Sequence, residues 1–345
     1  MKRFYAILLV AMALILAGCV ISPRRTLGGS GTGSGGGGGS TGTGGQLYVS
    51  TANSILRFSD VEATVGNVAP TATITSPSLS GPQHMTIDTA ADRLYVANQS
   101  GRSILIFDNA STLATGSVTP TRIISGGNTG FANPIDVAVD TINNLLYVAD
   151  GTSILLFTSA STINGNVAPT SNINVGVTIG GILLDATNNQ LYLTDPGDNV
   201  VDRLDSASSQ TVVGIVGGAI AGPDTHLSTP RGLALDGSGR LLVSNSVAPL
   251  SITTYASASS ATGDVIPFGN ITGNSTTLQS PQQIALNPNI LNGELYVVDP
   301  VAASIIIFSN VSTTQGNLAP SRTITGSSTG LAVNAINGLA LDTTR

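Results

Sequence analysis

After residue 45 a segment of about fifty residues recurs six times, and a repeat of that length restricts the possible folds more than any other feature of the chain. Its most visible part is Leu-Tyr-Val or a near variant, starting at Leu47, Leu94, Leu146, Leu191, Leu241 and Leu295. An apolar run rich in β-branched residues follows, such as the five residues from Ser54, Ser103, Ser153 and Ser304. A Ser/Thr/Asn stretch then leads to Gly-Asn-Val-Ala-Pro-Thr or a variant, as at Gly66–Thr71 and Gly165–Thr170, and to a third short run such as 121–124 or 322–324. The fourth run ends at Asp88, Asp140, Asp185, Asp236, Asn287 and Asp342. Four short strands per repeat, punctuated by Gly, Pro, Asn and Ser, predict the blade of a β-propeller. No stretch after residue 18 keeps a helical period over ten residues.

The ends of the repeat region interlock. It opens on a Leu-Tyr-Val run with no strand of the fourth kind before it, and closes on such a strand at 339–342 with nothing after it. Residues 339–342 therefore complete the blade begun at residue 47, and the expected fold is all-β, a six-bladed β-propeller over residues 46–345. The pattern is weakest at 196–220, where an irregular blade is expected. Small residues at Ala138, Ala234, Ala285 and Ala340 suit the crowded innermost strands. Pro70, Pro120, Pro169, Pro267 and Pro320 stand before the outermost strands, where a missing donor blunts an edge.

The succession of a strand such as Val-Ala-Val-Asp, one such as Leu-Tyr-Val-Ala-Asp and an apolar strand resembles NHL-type and related lactonase-like bacterial propellers. That resemblance spans residues 46–345 and implies the architecture. Those families include binding platforms, sensor domains and hydrolases, so it implies no single activity.

The N-terminus has a different character. Lys2 and Arg3 precede a purely apolar stretch from Ala6 to Ala17, shorter than the roughly 20 residues that span a bilayer. Small residues and a cysteine end it, the layout of a secretory signal. Leu16-Ala17-Gly18-Cys19 resembles the lipobox of bacterial lipoproteins. The resemblance implies removal of residues 1–18, lipidation of Cys19 by diacylglycerol and often a further acyl chain such as palmitate, and anchorage in a lipid bilayer. Val20, in place of an Asp after the cysteine, implies the outer membrane of a Gram-negative envelope. Cys19 is the only cysteine, so the repeat region has no disulfide and no thiol chemistry. Residues 20–45 are dominated by Gly, Ser and Thr, bury almost nothing, and are expected to form a flexible tether about 28 Å in typical extension.

In a propeller of this kind ligands meet the face where loops enter the innermost strand and leave the second one. Two rings of residues are expected there. Before the innermost strands stand Gln83 and His84, Ile135 and Asp136, Gly180 and Gly181, Arg231 and Gly232, Gln282 and Gln283, and Asn337 and Gly338. After the second strands stand Thr51, Asn98, Asp150, Asp195, Asn245 and Asp299. The candidate ligand-binding set is His84, Asp136, Asp150, Asp195, Arg231, Gln283, Asp299 and Asn337, with Arg231 steering an anion. Convergent Asp and Asn oxygens suit a hard cation such as calcium. The Asp or Asn after the second strand recurs in five of six blades, and a residue repeated with the fold closes a turn through backbone amides more often than it holds a ligand. His226 and Asp224 lie in the longest loop, and no ligand spacing joins His226 to His84.

Composition removes several function classes. The only lysine leaves with the signal, which excludes Schiff-base chemistry. Calcium-dependent lactonase-type propellers place a Glu among their metal ligands, whereas Glu62 and Glu294, the only glutamates, fall outside the mouth. Two histidines among many serines define no catalytic triad. There is no Trp, aromatic residues are 4% of the chain, and the formal net charge is −6, a surface unsuited to stacking nucleic acid or attracting polyanions. The leading expectation is a non-catalytic, membrane-anchored envelope lipoprotein that binds a protein partner or small ligand on its loop-rich face. A metal-dependent hydrolase of lactonase type and a structural surface component are the alternatives.

Overall fold

The computed structural model describes residues 44–211, 214 and 217–345. Residues 1–18, Cys19 and nearly all of the tether lie outside the described residues. Gln46 onward forms six antiparallel sheets of four strands arranged as a β-propeller. The innermost strands are Ile336–Asp342, Pro82–Asp88, Pro134–Asp140, Ile182–Asp185, Pro230–Leu235 and Ile284–Asn287. Each touches the next in that cyclic order, and the last touches the first, so the ring is closed.

We number the blades one to six by their second strands, Gln46–Thr51, Arg93–Asn98, Leu145–Asp150, Gln190–Asp195, Leu241–Asn245 and Glu294–Asp299. Blade one is completed as the interlocking ends predict. Ile336–Asp342 pairs with Gln46–Thr51, with Leu341 opposite Leu47, Ala340 opposite Tyr48 and Leu339 opposite Val49. Chain ends paired in one sheet leave the ring no open edge strand at its seam.

Alternation along the Leu-Tyr-Val strands explains the packing. Leu47 and Val49 pack against blade six beside Tyr296 and Ile305, while Tyr48 points the other way onto Leu94 and Leu105 of blade two. Successive side chains of a strand point to opposite faces, and here both faces meet a neighbouring sheet, so the central Leu-Tyr-Val part of each second strand is apolar on both sides. Six wedges of aliphatic and aromatic side chains result, one between each pair of blades. The small residues of the innermost strands have a specific use: Ala340, Ala138 and Ala285 lie directly opposite Tyr48, Tyr147 and Tyr296. A cross-strand pair of a large and a small side chain fills the wedge without widening the strand spacing.

The outermost strands are not bare edges blunted by proline. The glycine of each Gly-Asn-Val-Ala-Pro turn bonds to the outermost strand of the preceding blade. Gly66 bridges Ile324, Gly116 bridges Ile74, Gly165 bridges Ile124, Gly263 bridges Ile220 and Gly316 bridges Ile271, all in parallel register. In blade four Gly214 N–H donates to Asn174 O at 2.8 Å. These glycines have φ between 77° and 126°, where a side chain is strained. The following residue bonds the same neighbour: Asn67, Asn166, Asp264 and Asn317 accept from the amides of Ser328, Asn128, Asp224 and Ser275. Blade four is the irregular one, as expected, its outermost strand being only Ala219–Ile220.

Candidate ligand site at the channel mouth

Bulges place the candidate residues. Four innermost strands break register with their partners near one end: between Pro82 and Met85, Pro134 and Asp136, Pro230 and Leu233, and Ile336 and Leu339. An extra residue in a bulge re-aims side chains out of the ladder. Gln83, His84, Ile135, Asp136, Arg231 and Asn337 therefore gather at one mouth of the central channel, as the repeat spacing predicts.

A circle of polar contacts links neighbouring blades just inside this mouth. Ser50 Oγ donates to Gln83 O at 2.6 Å and accepts from Gly338 N at 2.8 Å. His84 Nδ1 lies 3.0 Å from Asp136 Oδ2, which also accepts from Ile182 N at 2.8 Å. Thr194 Oγ1 donates to Arg231 O at 2.9 Å and Ser244 Oγ to Gln282 O at 2.5 Å. Gln283 Oε1 accepts from Leu339 N at 2.5 Å and completes the circle. His84 and Asp136 are only 8% and 2% exposed. Gly338 is required at this contact, since a Cβ there would lie 2.7 Å from His84 Cα. Ser50, Thr194 and Ser244 escape the repeat-based reading of the sequence. Their signal is a hydroxyl in a fully buried strand, where the matching residues are Ala97, Ala149 and Val298.

The second ring has a different task. Asp150 accepts from the amides of Ala132 and Asn133, and Asp195 from those of Gly197 and Asp198. Asp299 accepts from Gln279, Ser280 and Ala302. Asn98 and Asn245 hold Ser80 and Ser228 in the same way. Asp150 and Asp299, like Asn98 and Asn245, clamp the loops entering the innermost strands, while Asp195 closes the turn that follows its own strand. They do not fit a calcium centre, and among the described residues no three His, Cys, Asp or Glu side chains stand close enough to hold a metal ion. His226 lines a separate cavity with Pro223 and Pro249, away from His84.

The mouth itself is a cavity of about 380 Å³ whose lining includes Gln83, His84, Arg231, Gln282 and Asn337. Most amides around it are engaged: Gln83 Nε2 donates to Gln99 Oε1, Gln99 Nε2 to Asn133 Oδ1, Gln282 Nε2 to Ser280 Oγ and Asn337 Nδ2 to Pro82 O. Arg231 differs. It is half-buried and, among the described residues, makes no ion pair, and its buried Nε has no hydrogen-bond acceptor there. Burial lowers the proton affinity of this guanidinium, with no neighbouring carboxylate to offset it. The buried ion pairs of Arg322 and Arg240 lie elsewhere, with Glu294 and Asp236. Beyond Asp136 and Gln283 lies a further cavity of about 250 Å³ along the innermost strands, whose lining includes Thr86, Ile87, Val139, Leu184 and Leu341.

No protein-family model matches the chain, and no curated relative does. Its backbone is similar to a chain in the crystal structure of a nidogen/laminin complex, with a TM-score of 0.60 and 15% identity over 87% of this chain and 98% of that one. It is also similar to a functionally unknown protein from Desulfotomaculum acetoxidans DSM 771, with a TM-score of 0.55 and 13% identity over 79% of this chain and 78% of that one. At such identities the likeness shows the fold alone, and the fold is a six-bladed β-propeller.

Proposed function

We propose that this chain is a lipid-anchored binding protein of the bacterial cell envelope, held at the outer membrane through Cys19, whose propeller takes a protein partner or small ligand at the mouth of its channel. The observation that carries the reading is Arg231. A half-buried guanidinium without an ion pair among the described residues, in a chain of formal net charge −6, is costly unless a ligand completes it. The acids that a metal-dependent hydrolase would draw on are engaged by backbone amides, which favours binding over catalysis. The occurrence of a similarly folded chain in a nidogen/laminin complex supports a protein partner.

Anchorage is tested by expressing the full chain and its Cys19→Ala form in a Gram-negative host fed labelled palmitate. The parent is expected labelled and in the outer-membrane fraction, the variant unlabelled and missing from that fraction. Equal fractionation of the two, or no label in the parent, would remove the lipoprotein reading. One metal ion retained per chain, with esterase or lactonase activity that a chelator abolishes, would replace the binding reading with the hydrolase.

A further inference from the structure

We infer that the mouth cavity is a site for a monocarboxylate with a short, partly apolar tail, held by the Arg231 guanidinium. The inference rests on the reading of the mouth as a binding site and names the chemistry that the site selects.

Three observations point to this group. Arg231 is the permanently charged side chain of the cavity lining, and its buried Nε faces no acceptor among the described residues. A guanidinium offers donors in a planar fork, and the acceptor that matches the fork is a pair of coplanar oxygens separated as in a carboxylate. The second observation is charge. The other titratable side chain of the lining, His84, has Nδ1 3.0 Å from Asp136 Oδ2. One guanidinium balances one negative charge, whereas a phosphate dianion would set a second charge against a channel wall that contains the Asp136 carboxylate.

The third observation concerns what surrounds the fork. Ile135, Ile179, Ile336 and Pro300 are the apolar side chains of a lining that is otherwise mostly polar, so the apolar part of the tail must be short. Neighbouring amides already have acceptors, Gln83 on Gln99, Gln99 on Asn133 and Asn337 on Pro82 O, whereas Arg231 Nε has none among the described residues. Its backbone is fixed independently, since Arg231 O accepts from Thr194 Oγ1. A side-chain substitution at this position therefore leaves the inter-blade contact in place. Two sources carry the same chemistry: a free organic acid, and the C-terminal carboxylate of a peptide chain.

The test uses the full-length chain carrying Cys19→Ala, with methyl NMR of Ile135, Ile179 and Ile336 as the readout. The probes are butanoate, butanamide, inorganic phosphate, and trialanine with a free or amidated C-terminus. Butanoate or free trialanine is expected to shift these methyls and bind at least tenfold more tightly than its amide, and to outcompete phosphate. Preference between the two names the source. Arg231→Gln is expected to remove the preference for the acid over the amide, and Arg231→Lys to retain part of it. Acid and amide binding equally, phosphate binding more tightly, or Arg231→Gln binding the acids like the parent would overturn the inference while leaving the mouth as a binding site. If no probe moves these methyls in a folded protein, both the carboxylate assignment and the mouth as a small-ligand site fail.

Discussion

Glu294 Oε2 lies 2.5 Å from Arg322 Nη2, and the same guanidinium donates through Nη1 to Val61 O and Thr64 O of blade one. Blade six is thereby stapled to blade one at the seam where the chain ends meet. Tyr296 OH and Ser309 Oγ also donate to this carboxylate. Glu294, one of only two glutamates and far from the mouth, is a structural hub.

Glu294→Gln should lower stability by about 3 kcal/mol, because it leaves a largely buried guanidinium without its counter-charge. Urea denaturation followed by circular dichroism measures this as a lower midpoint. A midpoint equal to the parent's would show that the staple is energetically idle.

Asp202 should make the propeller less stable at neutral pH than in mild acid. It occupies a third-strand position where blades two, three and six carry Leu105, Leu155 and Ile306, and it is 5% exposed. Burial, helped by the charges of Asp195 and Asp198, pushes its carboxyl up to about 6. The folded state then holds a proton that the unfolded state has released, so this group's contribution falls as pH rises from about 4 to about 6. Asp202→Asn should be more stable than the parent by about 1–3 kcal/mol at pH 7.5 and indistinguishable from it below pH 4. Thermal melts across that range decide the matter, and a difference independent of pH would assign the effect to something other than ionisation.

Asp299→Ala should destabilise by about 2 kcal/mol through three stranded loop amides. It should leave the chemical preference of the mouth unchanged, since Arg231 does not depend on it. Calorimetric unfolding and the carboxylate titration separate the two effects. Loss of carboxylate preference with unchanged stability would instead place Asp299 in the ligand site.

The blade-to-blade latch offers a direct comparison. Gly316 has φ +86°, and a Cβ added there would meet open space, so Gly316→Ala should cost about 1–2 kcal/mol in backbone strain alone. Gly273 has φ +110°, and a Cβ there would lie 2.6 Å from Asn317 Oδ1. Gly273→Ala should cost more, and adding Asn317→Ala should recover the steric part. A double-mutant cycle in urea reads the coupling; strictly additive costs would mean that the two residues do not press on each other.

Much of the architecture is legible in the sequence. The blade count, the closing strand, the weak fourth blade and the gathering of Gln83, His84, Asp136, Arg231 and Asn337 at one mouth all follow from repeat spacing. Recurrence with the blade marks the Asp of the second ring as turn-closing residues, and their amide partners bear this out. The latch is not legible, although its Gly-Asn-Val-Ala-Pro motif is visible six times over in variant forms. A strand edge and the glycine that covers it belong to different blades, and sequence order does not say which neighbour a turn will reach.

The sequence by itself determined the propeller, because a period of two within strands and of about fifty between them admits few ways to bury both faces of every sheet. Only the tertiary structure decided which polar groups close the ring and which, Arg231 Nε among them, are left without a partner within the described residues. Ser50 reaches Gln83 and Gly338 across 33 and 288 residues of chain. Asp136 reaches Ile182 across 46. Such bonds depend on where bulges aim each side chain in three dimensions, and that geometry leaves the Arg231 guanidinium without an ion-pair partner among the described residues at the mouth.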